Sequence, residues 1–146
     1  MYHQGNLFSN FDSWWQRHEN KYPQFMINEL DFQDFPLKNG FNKGDILFII
    51  RADPEKLEEG DIIIFNANQR NPIIHRIIDI RDTKDGKVFS TIGDNNNGQL
   101  EFEDGVTEDM LVGKAVARIT PYFGWVKLVF YDWQKPLEER GFCDER

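Results

Sequence analysis

The sequence contains few of the residues that build disulfides or metal centres. Its only cysteine is Cys143, which excludes a disulfide within the chain. The three histidines, His3, His18 and His75, are too scattered to match the spacing of metal ligands. No glycine-rich phosphate-binding loop is present either. The sequence therefore predicts neither a metal nor a cofactor.

Long apolar runs and basic clusters are also missing. No stretch approaches the ~20 apolar residues of a membrane span, and no signal-peptide pattern opens the chain. The formal net charge is -8, and no dense run of lysine and arginine could neutralise phosphates. We therefore expect a soluble fragment that has no nucleic-acid partner. Its 146 residues suffice for one domain.

Residues 1–40 are rich in aromatic side chains and are predicted to be helical. Asn10 is a candidate cap for a helix from Phe11 to His18, in which aromatic residues recur every three to four positions. A second short helix is expected over residues 28–35, because Pro36 would end it. This region is interpreted as an inserted helical unit or cap. Its aromatic side chains could lie over a groove or contact lipid, but packing into the core is favoured.

From residue 41 to residue 131 the pattern predicts a β-rich core. Short isoleucine-rich runs bounded by turn residues predict strands at 45–50, 61–65, 72–80, 88–92, 112–119 and 125–131. Asp85-Gly86 predicts a tight turn, and Thr107 begins a predicted capped helical turn. The fold class is thus mainly β: a coiled antiparallel β-sheet or partial barrel with short N-terminal helices. Residues 132–146 are predicted to be a charged tail.

One histidine within a predicted strand is the first candidate for chemistry. Alternation along the strand places His75 on the face shared with Ile73 and Ile77, and Arg76 on the opposite face. A lone histidine there is often a core residue bound to a backbone carbonyl. However, Asp94 follows on a turn after a strand that could pair with this one. A base and an acid that orients it need this kind of proximity.

Several further acids follow Asp94, and no obvious nucleophile accompanies the pair. The acids are Glu101, Glu103 and Asp104, which are expected to form a solvated loop, although any of them could serve as a third functional acid. Because the strand and the turn carry only a base and an acid, the residues alone leave the reaction open.

Five segments in order resemble one enzyme family. They are Gly44-Asp45-Ile46-Leu47-Phe48, Gly60-Asp61-Ile62-Ile63-Ile64-Phe65, Pro72-Ile73-Ile74-His75-Arg76, Gly93-Asp94-Asn95-Asn96 and Gly113-Lys114-Ala115-Val116-Ala117-Arg118-Ile119 with Pro121-Tyr122-Phe123-Gly124. Together, over residues 40–128, they resemble the archaeal and endoplasmic-reticulum branch of type I signal peptidases. The resemblance implies a membrane-anchored serine endopeptidase on the extracytoplasmic face, which cleaves signal peptides from exported proteins.

The resemblance also implies roles for individual residues. His75 matches the histidine that replaces the lysine base of bacterial relatives, and Asp94 matches the acid of the Gly-Asp-Asn motif. A further aspartate is usual a few residues later, where this chain has Glu101 nearby. Preproteins are expected to bind as an extended strand near residues 44–50. The membrane anchor is expected to lie upstream of the chain.

The nucleophile departs from the family pattern. Counting back from Gly44 places Pro36 where the family has its serine. One interpretation is that residues 2–40 are an insertion and that the serine immediately precedes Met1. The other is a relative that has lost its nucleophile and acts as an inactive binding or accessory protein. A self-cleaving repressor-type domain is disfavoured because it would use a lysine base, and a β domain without a site is the remaining alternative.

Overall fold

A computed structural model describes residues 11–41 and 45–120 of the chain. It contains two helices, α1 (Phe11–His18) and α2 (Glu29–Asp34), followed by six strands: β1 (Ile46–Ile50), β2 (Ile62–Phe65), β3 (Ile73–Thr83), β4 (Gly86–Ile92), β5 (Asp104–Thr107) and β6 (Leu111–Thr120). The prediction of a mainly β fold with short N-terminal helices is confirmed.

The strands form one antiparallel sheet in the order β1-β6-β2-β3-β4-β5. Over the described residues the sheet stays open rather than closing into a barrel, so β1 and β5 are its edges. The long central strand β3 pairs with β4 as far as Thr83 opposite Gly86, because the predicted tight turn lies between them. The short strand β5 was not predicted.

The N-terminal segment, residues 11–41, packs against the sheet through aromatic side chains. The cluster consists of Trp14, Trp15, Tyr22, Ile27 and Phe32, which are buried together with Ile78 and Ile92 of the sheet. The favoured interpretation of these aromatic residues as core is thus confirmed for α1 and α2.

Local signals fix the bounds of α2. The Asn28 side chain accepts hydrogen bonds from the backbone N–H groups of Leu30 and Asp31, and the Asn28 backbone N–H donates to the Asp31 carboxylate. Such a reciprocal cap satisfies backbone donors at the helix start that would otherwise lack partners. The helix ends at Asp34, as expected from the nearby Pro36.

Two apolar clusters lie on opposite sides of the central strands. Ile63, Phe65 and Ile77 belong to one cluster, together with Leu57, Phe89 and Val106. The other contains Phe41, Ile62, Ile64 and Ala115, with Ile74 packed against it. The odd-numbered residues of β3 from 73 to 77 therefore face one way and the even-numbered residues the other, as strand alternation requires.

Some predictions concern residues outside the described ranges. These are the cap Asn10, the strand at 125–131, the tail at 132–146 and the position of Met1. Within the described ranges, the helices are too short and too polar to cross a membrane.

Candidate functional site

The candidate site is built around two neighbouring residues of β3 that point to opposite faces of the sheet. His75 lies on the face of Ile63 and Ile77, with its ring 6.4 Å from the ring of Phe65. The predicted face of His75 is thus confirmed. Arg76 is fully buried on the other face, where its guanidinium packs 4.7 Å above the Phe32 ring.

The acid beside His75 is Glu103. One carboxylate oxygen of Glu103 lies 2.6 Å from the buried Nδ1 of His75. The oxygen is within ion-pairing distance but is poorly aligned with the ring N–H for a hydrogen bond. Glu103 is fully buried, whereas the expectation was a solvated acidic loop, which is wrong for this residue. A buried carboxylate needs partners, and it accepts a 2.6 Å hydrogen bond from the backbone N–H of Leu100.

Asp94 lies behind Arg76 rather than behind the histidine ring. The Arg76 guanidinium donates to both Asp94 oxygens, with Nη2 at 2.8 Å and Nε at 3.1 Å and 3.2 Å. The Tyr22 hydroxyl donates to the same carboxylate over 3.4 Å. Burial and the neighbouring Asp94 raise the pKa of Tyr22, so its hydroxyl stays protonated. Of the two acids, Glu103 is therefore the one that lies next to the His75 ring, and Asp94 is the partner of Arg76.

Arg76 also joins the sheet to the N-terminal segment. Its Nη1 donates to the carbonyls of Pro36, at 2.8 Å, and Gly60, at 2.7 Å, and its Nη2 reaches the Leu37 carbonyl at 3.3 Å. Pro36 occupies the position that matches the family serine when the sequence is aligned without gaps. Its carbonyl is bound by Arg76, so Pro36 lies on the face of the sheet to which Arg76 points. His75 lies on the opposite face, so ungapped counting does not lead to a nucleophile at the histidine.

The turn after β4 runs directly past the histidine ring. A Cβ atom added to Gly93 would lie 2.9 Å from Nε2 of His75, and 2.7 Å and 2.8 Å from side-chain atoms of Asn96. Real Cβ atoms do not approach neighbours this closely, so only glycine fits here without a shift. The Gly-Asp-Asn turn thus places its glycine beside His75 and its aspartate beside Arg76.

Sequence reasoning did not identify Lys21, which lies in the N-terminal segment. The ammonium group donates to the carbonyls of Gly93, Asp94 and Asn96, at 3.1 Å, 2.6 Å and 2.8 Å. Burial lowers the pKa of Lys21 from 10.5 to about 8, against the opposing effect of the Asp94 and Glu103 carboxylates. The residues next to Lys21 in the sequence give no sign that its side chain is buried, because its partners lie more than 70 residues away.

The other candidate acids stay at the surface. Glu101 is exposed, and Asp104 is half-exposed, paired with Arg81. Among the described residues, no cluster of three histidine, cysteine or acidic side chains could hold a metal ion.

Neither of the buried hydroxyls near the end of β4 is hydrogen-bonded to His75. The buried Ser90 hydroxyl accepts from the Gln99 amide at 2.6 Å, and the Thr91 hydroxyl donates to the Glu103 carbonyl at 3.3 Å. The described site therefore brings together a histidine and a buried carboxylate, and neither of these two hydroxyls contacts the histidine.

Several signal peptidase subunits are similar to the chain in sequence. The chain is 29% identical over 106 residues to the signal peptidase complex catalytic subunit SEC11C of Homo sapiens, which covers 68% of the chain. It is also 29% identical over 107 residues to SEC11 of Colletotrichum graminicola. A shorter stretch of 63 residues is 36% identical to SEC11 of Plasmodium falciparum.

The chain thus has a distant sequence similarity to signal peptidase catalytic subunits. It spans about half the length of these curated relatives, with 55% of the human protein covered. No family model matches the sequence.

Proposed function

We propose that the chain is the extracytoplasmic domain of a type I signal peptidase of the Ser-His branch, which cleaves signal peptides from exported preproteins. The observation that carries this proposal is the buried carboxylate of Glu103, 2.6 Å from Nδ1 of His75. An acid on one ring nitrogen leaves the other, Nε2, to exchange a proton with a nucleophile. The His75 side chain remains 14% exposed, so the ring is accessible from one side.

In this mechanism a serine hydroxyl attacks the scissile carbonyl while Nε2 of His75 accepts its proton. Glu103 lies against the ring and stabilises the imidazolium that forms during the reaction, since its buried carboxylate is 2.6 Å from Nδ1. Asp94 contributes indirectly, since its ion pair with Arg76 fixes the turn that contacts the ring. His75 then returns the proton to the leaving amine. The serine belongs to a part of the polypeptide outside the described residues.

The edge strand β1 is the proposed binding surface for the substrate. An edge strand offers unpaired backbone groups to which an extended peptide can add. Ile46, Phe48 and Ile50 on β1 are exposed and apolar, which suits the apolar segment of a signal peptide. The proposed enzyme acts at a membrane, to which an upstream anchor attaches it. Residues 1–40 serve as a cap on the core formed by residues 41–131.

Cleavage of a preprotein by the natural full-length polypeptide, reconstituted in lipid, tests the proposal. The Glu103→Gln variant keeps the shape of the side chain but removes its charge, and we expect the cleavage rate to fall about 100-fold or more. The matched control is Glu101→Gln, which removes the charge of an exposed acid two residues before Glu103 and should leave the cleavage rate unchanged. His75→Ala should abolish cleavage. Equal rates for the Glu103 and Glu101 variants would contradict the assigned mechanism.

A second candidate function is an inactive, peptide-binding relative of the peptidase. It is favoured by the hydrogen bonds of Ser90 and Thr91, whose buried hydroxyls bond to Gln99 and to the Glu103 carbonyl rather than to His75. Such a protein would bind a signal peptide with the same affinity before and after the His75→Ala change and would never cleave it. Turnover that depends on His75 would exclude this candidate.

A further inference from the structure

The described structure holds a buried ammonium group that the proposed mechanism does not use. Lys21 is only 7% exposed, although lysine is among the residues least often buried. Its three N–H groups match three backbone carbonyls of one turn, those of Gly93, Asp94 and Asn96. An ammonium has three donors and no acceptor, so each of its hydrogens has a partner.

Charged groups from several parts of the fold surround Lys21. Asp94 and Glu103 are negative and favour the ammonium, whereas Arg76 is positive and opposes it. His18 lies on the same segment as Lys21. Burial is the largest cause that lowers the pKa of His18, and the charge of the Lys21 ammonium lowers it further. The Lys21 ammonium also lies 5.0 Å from the Tyr22 ring. Among these contacts, only those to the carbonyls of the turn are hydrogen bonds of Lys21.

The turn held by Lys21 is the one that touches the histidine. The Gly93 carbonyl accepts a hydrogen bond from Lys21, and the Gly93 Cα hydrogen that a Cβ atom would replace points towards Nε2 of His75. The backbone N–H of Asn96 closes the same turn by donating to the Gly93 carbonyl over 2.9 Å. One ammonium group therefore binds the backbone on both sides of Asp94.

We propose that Lys21 is a positioning residue, which holds the 93–96 turn against the His75 ring and so makes the N-terminal segment an integral part of the site. The effect of Lys21 on catalysis rests on the proposed function, whereas its hold on the turn does not. Lys21 is not a general base, because all three of its hydrogens are engaged by carbonyls. It acts on the reaction only through the position of Gly93.

The experiment compares Lys21→Met with Lys56→Met, which removes an equal charge from an exposed side chain paired only with Asp53. At pH 7 we expect amide exchange at Asn96 to accelerate at least about tenfold in the Lys21 variant, as a local opening of the turn. The nuclear Overhauser effect between the Gly93 Cα hydrogens and the His75 ring should fall by more than half. Both signals should be unchanged in the Lys56 variant.

A second measurement needs no variant, which protects the test if Lys21→Met fails to fold. In the unaltered protein the Gly93–His75 Overhauser effect should weaken as the pH rises through the pKa of Lys21, about 8, because the neutral amine has one donor fewer. The proposal is overturned if the effect persists to pH 10 and also persists in the Lys21 variant. Neither readout involves a peptide, so a failure to cleave would count against the proposed function and not against this inference.

Discussion

Replacing Arg76 by methionine should destabilise the protein more than any change on its surface. Methionine keeps an apolar stem that can pack on Phe32, but it leaves the Asp94 carboxylate buried without its cation. Removing one partner of a buried ion pair costs about 3–5 kcal/mol. The carbonyls of Pro36 and Gly60 also lose charged donors, at about 1–3 kcal/mol each where water cannot replace them. We expect the free energy of unfolding to fall by at least about 3 kcal/mol, a large part of the ~5–15 kcal/mol of a typical domain.

Urea unfolding of Arg76→Met beside Arg81→Met measures this effect. Arg81 lies on the same strand and also pairs with aspartates, but these pairs are about half exposed. Exposed pairs contribute about 0–1 kcal/mol, so the Arg81 variant should stay close to the parent protein. The double variant Arg76→Met with Asp94→Asn removes the orphaned charge and should recover about 0.5–3 kcal/mol relative to the sum of the single changes. If the Arg76 and Arg81 variants unfold within about 1 kcal/mol of each other, the buried pair does not hold the segment as described.

Two further predictions concern the turn and its lysine. Gly93→Ala should displace the turn from His75, with a stability loss of about 1–3 kcal/mol from overpacking and a lower cleavage rate, whereas Gly98→Ala, where an added Cβ meets nothing within 4 Å, should leave both unchanged. Equal behaviour of the two alanine variants in urea unfolding and cleavage assays would refute the close approach. Because the pKa of Lys21 is lowered from 10.5 to about 8, the folded state binds fewer protons than the unfolded state between these values. The contribution of Lys21 to stability should therefore rise with pH across that window, and unfolding at pH 7.5 and pH 10 should show a rise that is smaller in Lys21→Met.

The sequence by itself determined the helices, the strands other than β5 and the face of the histidine. Local signals suffice for this, because a cap such as Asn28, a breaker such as Pro36 and a tight turn such as Asp85-Gly86 act within a few residues. Strand alternation depends only on neighbouring positions, so it placed His75 and Arg76 on opposite faces before any pairing was known.

Only the tertiary structure decided which charged groups meet. Glu101, Glu103 and Asp104 are chemically alike in sequence, and the return of the chain towards β5 buries Glu103 against His75 while its two neighbours reach the surface. Asp94 and Lys21 are 73 residues apart, and their meeting depends on how the N-terminal segment packs on the sheet. Side-chain partners across such distances are set by packing and register, which leave no periodic trace in the chain.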